Sequence, residues 1–270
     1  LKGITEEQLN TIIAKANITE QVDQLKNTIK TVYTAFKEYD MKMIEINPLA
    51  LTNDNKLIAA DAVVVLDDAA QHRWKKSFPE RAGMGRELTE NEIAAKKIDE
   101  EDHRGIAGRT YIDLDGDIGI LASGGGASIT SVDALISYGG KPANYTEYSG
   151  NPPAEKVEKL TRVVLSKPLN GLWIIGGTAN FTRIDITVGG IIDALRDIQP
   201  DFPIVVRRGG PGEKEAFDML QKAKEAYKLD ITFFDDTTSM TASAEVLAKK
   251  VEEYKEKKKK ELSNLDPRII

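Results

Sequence analysis

The chain has 270 residues, 41% hydrophobic and 30% charged, enough apolar side chains for one large domain or two ordinary ones with buried cores. Cysteine is absent and only two histidines occur, His72 and His103, which excludes disulfides, thiolate metal sites and a cysteine nucleophile and nearly excludes histidine cages. A net charge of −6 argues against broad nucleic-acid binding, and no apolar run approaches the ~18 residues of a membrane span. No signal peptide opens the chain, so the expected location is the cytoplasm. The first residue is Leu1 and not methionine, so the chain is expected to be a piece of a longer one.

Taken in chain order, residues 1–40 read as two helices. Thr5 with Gln8 three residues later fits a capping box. Thr19 is placed to cap the second helix, whose apolar face is Val22, Leu25, Ile29, Val32 and Phe36. Residues 41–46 and 56–66 read as strands joined by the turn cluster Thr52-Asn53-Asp54-Asn55. Residues 67–108 are polar and mixed, with Pro79, Gly83, Gly85 and the acidic stretch 99–102. They read as a connector with one or two short helices, and the first domain is expected to end near residue 108.

From Tyr111 the pattern becomes regular. Apolar runs at 118–122, 143–148, 172–175, 204–206 and 231–234 are each followed by a helical stretch, at 128–137, 154–166, 183–197, 213–227 and from about residue 241. Such strand-then-helix units predict an α/β fold with a doubly wound, mostly parallel sheet, for which the commonest five-strand order is 2-1-3-4-5. Ligands of these sheets sit at the carboxyl ends of the strands, where the order reverses. Here that is the crevice between Ser123-Gly124-Gly125-Gly126-Ala127-Ser128 and Gly176-Gly177-Thr178-Ala179-Asn180-Phe181-Thr182. Each loop runs into a helix, whose free N–H groups favour anions. Arg207-Arg208-Gly209-Gly210-Pro211 follows the fourth strand and can clamp a carboxylate or phosphate.

One glycine-rich turn marks close packing more often than a ligand, and a lone Asn180 or Thr182 reads as a helix cap. Two such loops and the arginine pair at one predicted end of the sheet favour an anion site. His72 and His103 read as surface residues, and the lysine-rich stretch 255–260 as a solvated helix end.

Further motifs carry a resemblance. Glu45-Ile46-Asn47-Pro48-Leu49, with Asp61 on the next strand, is similar to the end of the ATP-grasp domain in the nucleotide-type (beta-like) chain of the succinyl-CoA synthetase superfamily. Gly124-Gly125-Gly126-Ala127-Ser128, then Ala143-Asn144-Tyr145-Thr146-Glu147-Tyr148-Ser149-Gly150, Ala179-Asn180-Phe181-Thr182, Arg207-Arg208-Gly209-Gly210-Pro211 and Met240-Thr241-Ala242 resemble, in the same order, the ATP-citrate lyase and citryl-CoA synthetase branch. The resemblance covers roughly residues 25–250 and is weakest over 67–108.

It implies the C-terminal end of an ATP-grasp domain and connector (1–108), a flavodoxin-like CoA-ligase, citrate-binding domain (109–260) and a tail (261–270). Asn47 and Asp61 would hold Mg²⁺, a hard cation suited to oxygen ligands, with Glu45 at the nucleotide site. Citrate would meet Asn180, Thr182, Arg208 and the backbone at Gly125, Gly126, Ala127 and Ser128, with Phe181 shaping the pocket. ATP and CoA are the implied co-substrates. The N-terminal ATP-grasp half is missing from this chain. So is the family's phosphorylated histidine; the resemblance implies that it resides on an alpha-like portion, a separate chain or a missing segment, with a hetero-oligomer expected and no catalytic residue in this chain. The implied reaction converts ATP, citrate and CoA to ADP, phosphate, acetyl-CoA and oxaloacetate, with citryl-CoA or succinyl-CoA synthetase as alternatives. A non-catalytic carboxylate-binding module is the reading from a different class. A receiver-type signalling domain is disfavoured, because the first loop offers glycines where acids are needed.

Overall fold

The computed structural model describes residues 3–74, 76–78 and 86–263. The chain divides into two units, Leu1–Arg81 and Ala82–Ile270.

In the first unit, α1 (Glu6–Lys15) carries the expected capping box, with the Gln8 N–H on Thr5 Oγ1 and the Thr5 N–H on Gln8 Oε1. Leu9 and Ile13, one helical turn apart, are its buried residues. Helix α2 (Val22–Glu38) starts from Gln21 in a left-handed conformation and not from Thr19. Gln24 ties it to the following hairpin, donating to the Asn55 carbonyl (2.8 Å) and accepting from the Leu57 N–H (3.2 Å). The apolar face of α2 is only half-buried.

The hairpin is interrupted: β1 (Met41–Ile46) pairs with β4 (Ala62–Leu66), while β2 (Leu49–Leu51) pairs with β3 (Leu57–Ala59). The run 56–66 is therefore two strands, because Pro48 opposite its middle has no N–H to donate. Register survives the break through Asn47 N–H to Asp61 O (3.3 Å) and Ala60 N–H to Pro48 O (3.1 Å). Val63, Val64 and Val65 are all over 40% exposed, so both faces of the ribbon are open. A short 3-10 helix follows at Asp68–Arg73, and Arg73 makes two hydrogen bonds of 2.9 Å to the Asp40 carboxylate.

The second unit begins earlier than the expected boundary near residue 108. Helix α3 (Glu90–Glu101) has its own capping box, Thr89 with Glu92, and buries Ala95 and Ile98 in the core that holds Val157 and Leu160. Its Asp99 pairs with buried Lys156 at 2.6 Å and accepts the N–H groups of Ala107 and Arg109. A short helix was expected in this stretch, but its charged composition hid that the helix is fastened into the domain. Pro79, Gly83 and Gly85 lie outside the described residues.

There follow β5 (Ile106–Ala107), β6 (Ile112–Asp113), β7 (Ile118–Ser123), α4 (Gly125–Ser137), β8 (Asn144–Tyr145), β9 (Glu147–Ser149), α5 (Ala154–Leu165), β10 (Gly171–Thr178), α6 (Ile184–Ile198), β11 (Ile204–Gly209), α7 (Glu213–Tyr227), β12 (Ile231–Phe234) and α8 (Met240–Ser263). Residues 261–263 are thus helical and not tail; 264–270 lie outside the described residues. The main sheet runs β12-β11-β10-β7-β9-β5, parallel except for β5 at the edge. For the expected strands this is the order 2-1-3-4-5. Strand β7 is buried along its whole length, as a central parallel strand covered on both faces must be. Leu121, Ile174 and Val206 pack with residues of α5, α6 and α7, whereas Ile120, Trp173 and Val205 pack on the other face with residues of α4 and α8. Among the described residues no helix is long and apolar enough to cross a membrane.

Candidate functional site

The carboxyl edge of the sheet gathers the loops singled out in the sequence. After β7, Gly124 turns the chain at φ +87°, a conformation costly for any side chain, and α4 begins at once. The N–H groups of Gly125, Gly126 and Ala127 form its first turn, where an α-helix has no internal acceptors. The Ser128 hydroxyl donates to the Gly124 carbonyl, so its proton is spent inside the helix. Beside this turn lies Glu147 of β9: a Cβ on Gly125 would stand 2.6 Å from its Oε2.

The loop after β10 is fastened to the end of β11. Ala179 N–H bonds to Gly209 O (2.8 Å), and Thr178 Oγ1 donates to Asp236 Oδ2 (3.1 Å). Asn180 is exposed, Phe181 is 67% exposed and Thr182 is buried. The N-terminus of α6 is less open than expected. The Arg183 N–H is taken by Asn151 Oδ1 (3.0 Å) and the Ile184 N–H by Pro211 O (2.9 Å). Of the two helix N-termini expected to receive an anion, α4 is the one whose first-turn N–H groups meet no acceptor among the described residues, with the Glu147 carboxylate close beside Gly125.

The two arginines of β11 alternate across the sheet and do different work. Arg207 donates to three carbonyls, those of Thr238 (2.8 Å), Gly176 (2.8 Å) and Asp236 (2.9 Å). Burial draws its pKa below the usual arginine range, against the pull of the Asp236 charge. Arg208, on the opposite face, is 0% exposed, and its Nε and Nη2 have no hydrogen-bond partner among the described residues. Its guanidinium lies 5.8 Å from the Tyr148 ring centroid and directly against Gly176, where a Cβ would come 1.8 Å from Nη1. Tyr148 OH and Thr146 Oγ1 are buried without partners too. A guanidinium is always charged, and a buried charge without a counter-ion is destabilising by several kcal/mol (~3–5 when a pair is broken). This arrangement suits an anion that none of the described residues supplies.

Sequence reasoning passed over Tyr148, Thr146 and Gly176 as site residues. Strand alternation holds the signal for the first two: Thr146 and Tyr148 flank Glu147, the partner of Ala122, and so share the face opposite to it. Asn144, in the same motif, is structural. Its side chain donates to Ile120 O and accepts from Ile120 N–H, both at 2.9 Å, in place of a strand bond.

In the first unit, Glu45, Asn47 and Asp61 line one cavity of about 170 Å³ with Ala62 and Val63. Asn47 Nδ2 faces Glu45 Oε1 at 3.3 Å, which leaves the amide oxygen free, and Asp61 Oδ1 accepts the Ala62 N–H at 2.8 Å. One amide oxygen and one carboxylate are a fitting partial set for Mg²⁺, which keeps several waters. Among the described residues no cluster of three or more acids or histidines forms a metal cage. His72 and His103 are exposed.

Comparison with known proteins decides the family. Residues 86–250 match the ATP citrate lyase citrate-binding family. The chain belongs to that family. An ATP citrate lyase from Methanothrix soehngenii, solved in complex with citrate and coenzyme A, superposes with a TM-score of 0.70 at 28% identity, over 83% of this chain and 58% of that one. A Methanosaeta concilii ATP citrate lyase variant, solved with (3S)-citryl-CoA, gives 0.72 at 27% identity, over 84% and 60%. The beta subunit of an ADP-forming succinate–CoA ligase from Desulfurococcus amylolyticus is 33% identical over 201 residues, 74% of this chain and 50% of that subunit. The chain spans about half the length of the curated relatives it matches. The family match begins at residue 86, close to the start of the second unit at Ala82, so α3 lies inside the matched domain.

Proposed function

We propose that the second unit binds citrate at the carboxyl edge of its sheet and presents one carboxylate for activation as an acyl phosphate, which CoA then attacks. The observation that carries this reading is Arg208, a buried guanidinium with two nitrogens unpartnered among the described residues, at the strand end where open α/β sheets commonly bind ligands. The open first turn of α4 supplies a second set of anion donors. Asn180 and Thr182 are offered from the neighbouring loop, and Phe181, exposed without a ligand, shapes the mouth. Citrate has three carboxylates and a hydroxyl, enough groups to engage the helix turn and the arginine together. Because Arg208 is covered, the carboxylate reaches it only when the surrounding loops part.

In the whole enzyme, an alpha-like partner would carry the phosphohistidine that phosphorylates citrate, and ATP would recharge that histidine. Asn47 and Asp61, with Glu45 beside them, would contribute oxygen ligands to the Mg²⁺ of the nucleotide. The remaining half of that cleft would come from an ATP-grasp segment beyond these 270 residues, and the partners would form a hetero-oligomer. The net reaction is ATP, citrate and CoA to ADP, phosphate, acetyl-CoA and oxaloacetate; citrate activation is the step assigned to this chain. Succinate–CoA ligase relatives favour succinate as the second reading. Calorimetric titration of the chain separates the two: citrate is expected to bind at least about tenfold more tightly than succinate, one added charged hydrogen bond being worth about 1.5–3 kcal/mol. Equal affinities, or succinate the tighter, would refute the citrate reading.

A further inference from the structure

Arg208 stays in place although no described residue serves it as a counter-ion. A long side chain at a strand end keeps one geometry only if something over-determines it, and the surroundings show what does. Ser123 of β7 stands in register with Gly176 of β10 on one side and with Tyr148 of β9 on the other. Arg208, on β11, therefore faces Tyr148 across two strands whose residues at this level are the small Gly176 and Ser123. That gap is where the guanidinium lies, pressed on Gly176 and with its carbon 5.8 Å from the Tyr148 ring centroid. Tyr148 is 0% exposed, and its OH has no partner among the described residues, so no hydrogen bond there fixes the ring for another purpose. Among the described residues, the electron-rich ring face of Tyr148 is the group against the guanidinium that offsets the Arg208 charge.

We propose that Tyr148 is the positioning residue that holds the Arg208 guanidinium across Gly176, pre-aligned for the incoming carboxylate. The proposal deepens the citrate reading and rests on it for the identity of the anion. The ring, and not the hydroxyl, carries the role. Tyr148 touches no reacting atom; it acts through Arg208, by sparing the cost of ordering that side chain when the ligand arrives.

The test uses the whole 270-residue chain and two readouts. In a ¹⁵N-labelled sample the Arg208 Nε–Hε resonance, assigned by its loss in Arg208→Met, should carry a ring-current shift. Tyr148→Leu is expected to move or broaden that resonance, and Tyr148→Phe to leave it near its original position. By calorimetry, Tyr148→Leu should weaken citrate binding about five- to tenfold, and Tyr148→Phe should restore it to within about twofold. In an Arg208→Met background the same Leu substitution should have no further effect, a coupling that general loosening of the core would not produce. An unmoved resonance in Tyr148→Leu, or losses that add to those of Arg208→Met, overturns the proposal. So does Tyr148→Phe that loses citrate with the resonance unmoved, since the hydroxyl would then be a direct ligand. If Tyr148→Leu moves the resonance but the wild-type chain shows no heat with citrate, the positioning role stands and the choice of anion fails.

Discussion

Replacing Arg208 by methionine should make the ligand-free protein more stable while removing its response to citrate. The structure supplies both signs. Nε and Nη2 are buried and unpartnered, at roughly 1–3 kcal/mol each. Against that stand the stem packing, which Met largely replaces, and one cation–π contact worth about 0.5–2 kcal/mol. The balance resembles other buried ions exchanged for apolar residues, a gain of about 1–3 kcal/mol. For a domain of this size that is an upward shift in Tm of roughly 2–10 °C. Scanning calorimetry with and without citrate reads both effects. Wild-type protein at about 100 times Kd should gain about 2.7 kcal/mol from the ligand, and Arg208→Met only a small part of it. A variant that melts lower than wild type and still responds fully to citrate would show that Arg208 is a structural cation, and the site would have to be sought elsewhere.

Three other outcomes follow from particular contacts. Gly176→Ala should lose about 1–3 kcal/mol of stability, because its Cβ would come 1.8 Å from the buried Arg208 Nη1 and 3.0 Å from Ser123 Cβ, and should weaken citrate binding more than tenfold by displacing Nη1; unchanged affinity would contradict the placement of the guanidinium. Arg86, helped by the N–H groups of Thr89 and Asp113, holds the Glu92 carboxyl at about 2, below its ordinary 4.5. Its contribution is therefore complete above pH 4.5 and is lost as pH falls toward 2, so Glu92→Gln should remove about one proton from the acid-unfolding slope in that window, and parallel wild-type and variant curves would refute the assignment. Mg-ATP should bind the 270-residue chain only weakly by titration, and Asn47→Ala or Asp61→Ala should matter only once the full nucleotide cleft is assembled; a tight complex with this chain alone would overturn the reading of the first unit.

The parallel sheet was legible because each strand is a short apolar run closed by a helix with its own period, as at 172–175 and 213–227. Where charge dominates the pattern, the sequence showed a helix but not its packing. Helix α3 buries Ala95, Ile98 and even Glu92, whose partners Arg86, Thr89 and Asp113 stand up to twenty-one residues away. The strand expected over 56–66 failed for a reason visible only in pairing, since Pro48 breaks the ladder from the opposite strand. The loops of the candidate site were found by their glycines, but which glycines matter was not. Gly124 carries the positive φ and Gly176 makes room for Arg208, while a side chain on Gly126 would enter open space, with no strain from its φ. The difference between Arg207 and Arg208 was likewise hidden, because it depends on which face of β11 each occupies: one meets three carbonyls, the other none among the described residues.

The most direct test of the citrate assignment is a crystal structure of the chain grown with citrate. The account predicts one carboxylate within about 3 Å of Arg208 Nε or Nη2 and another group on the N–H groups of Gly125, Gly126 or Ala127, with Asn180 and Thr182 drawn toward the ligand. Citrate bound away from this edge, or bound here with Arg208 still closed and unpaired, would contradict it.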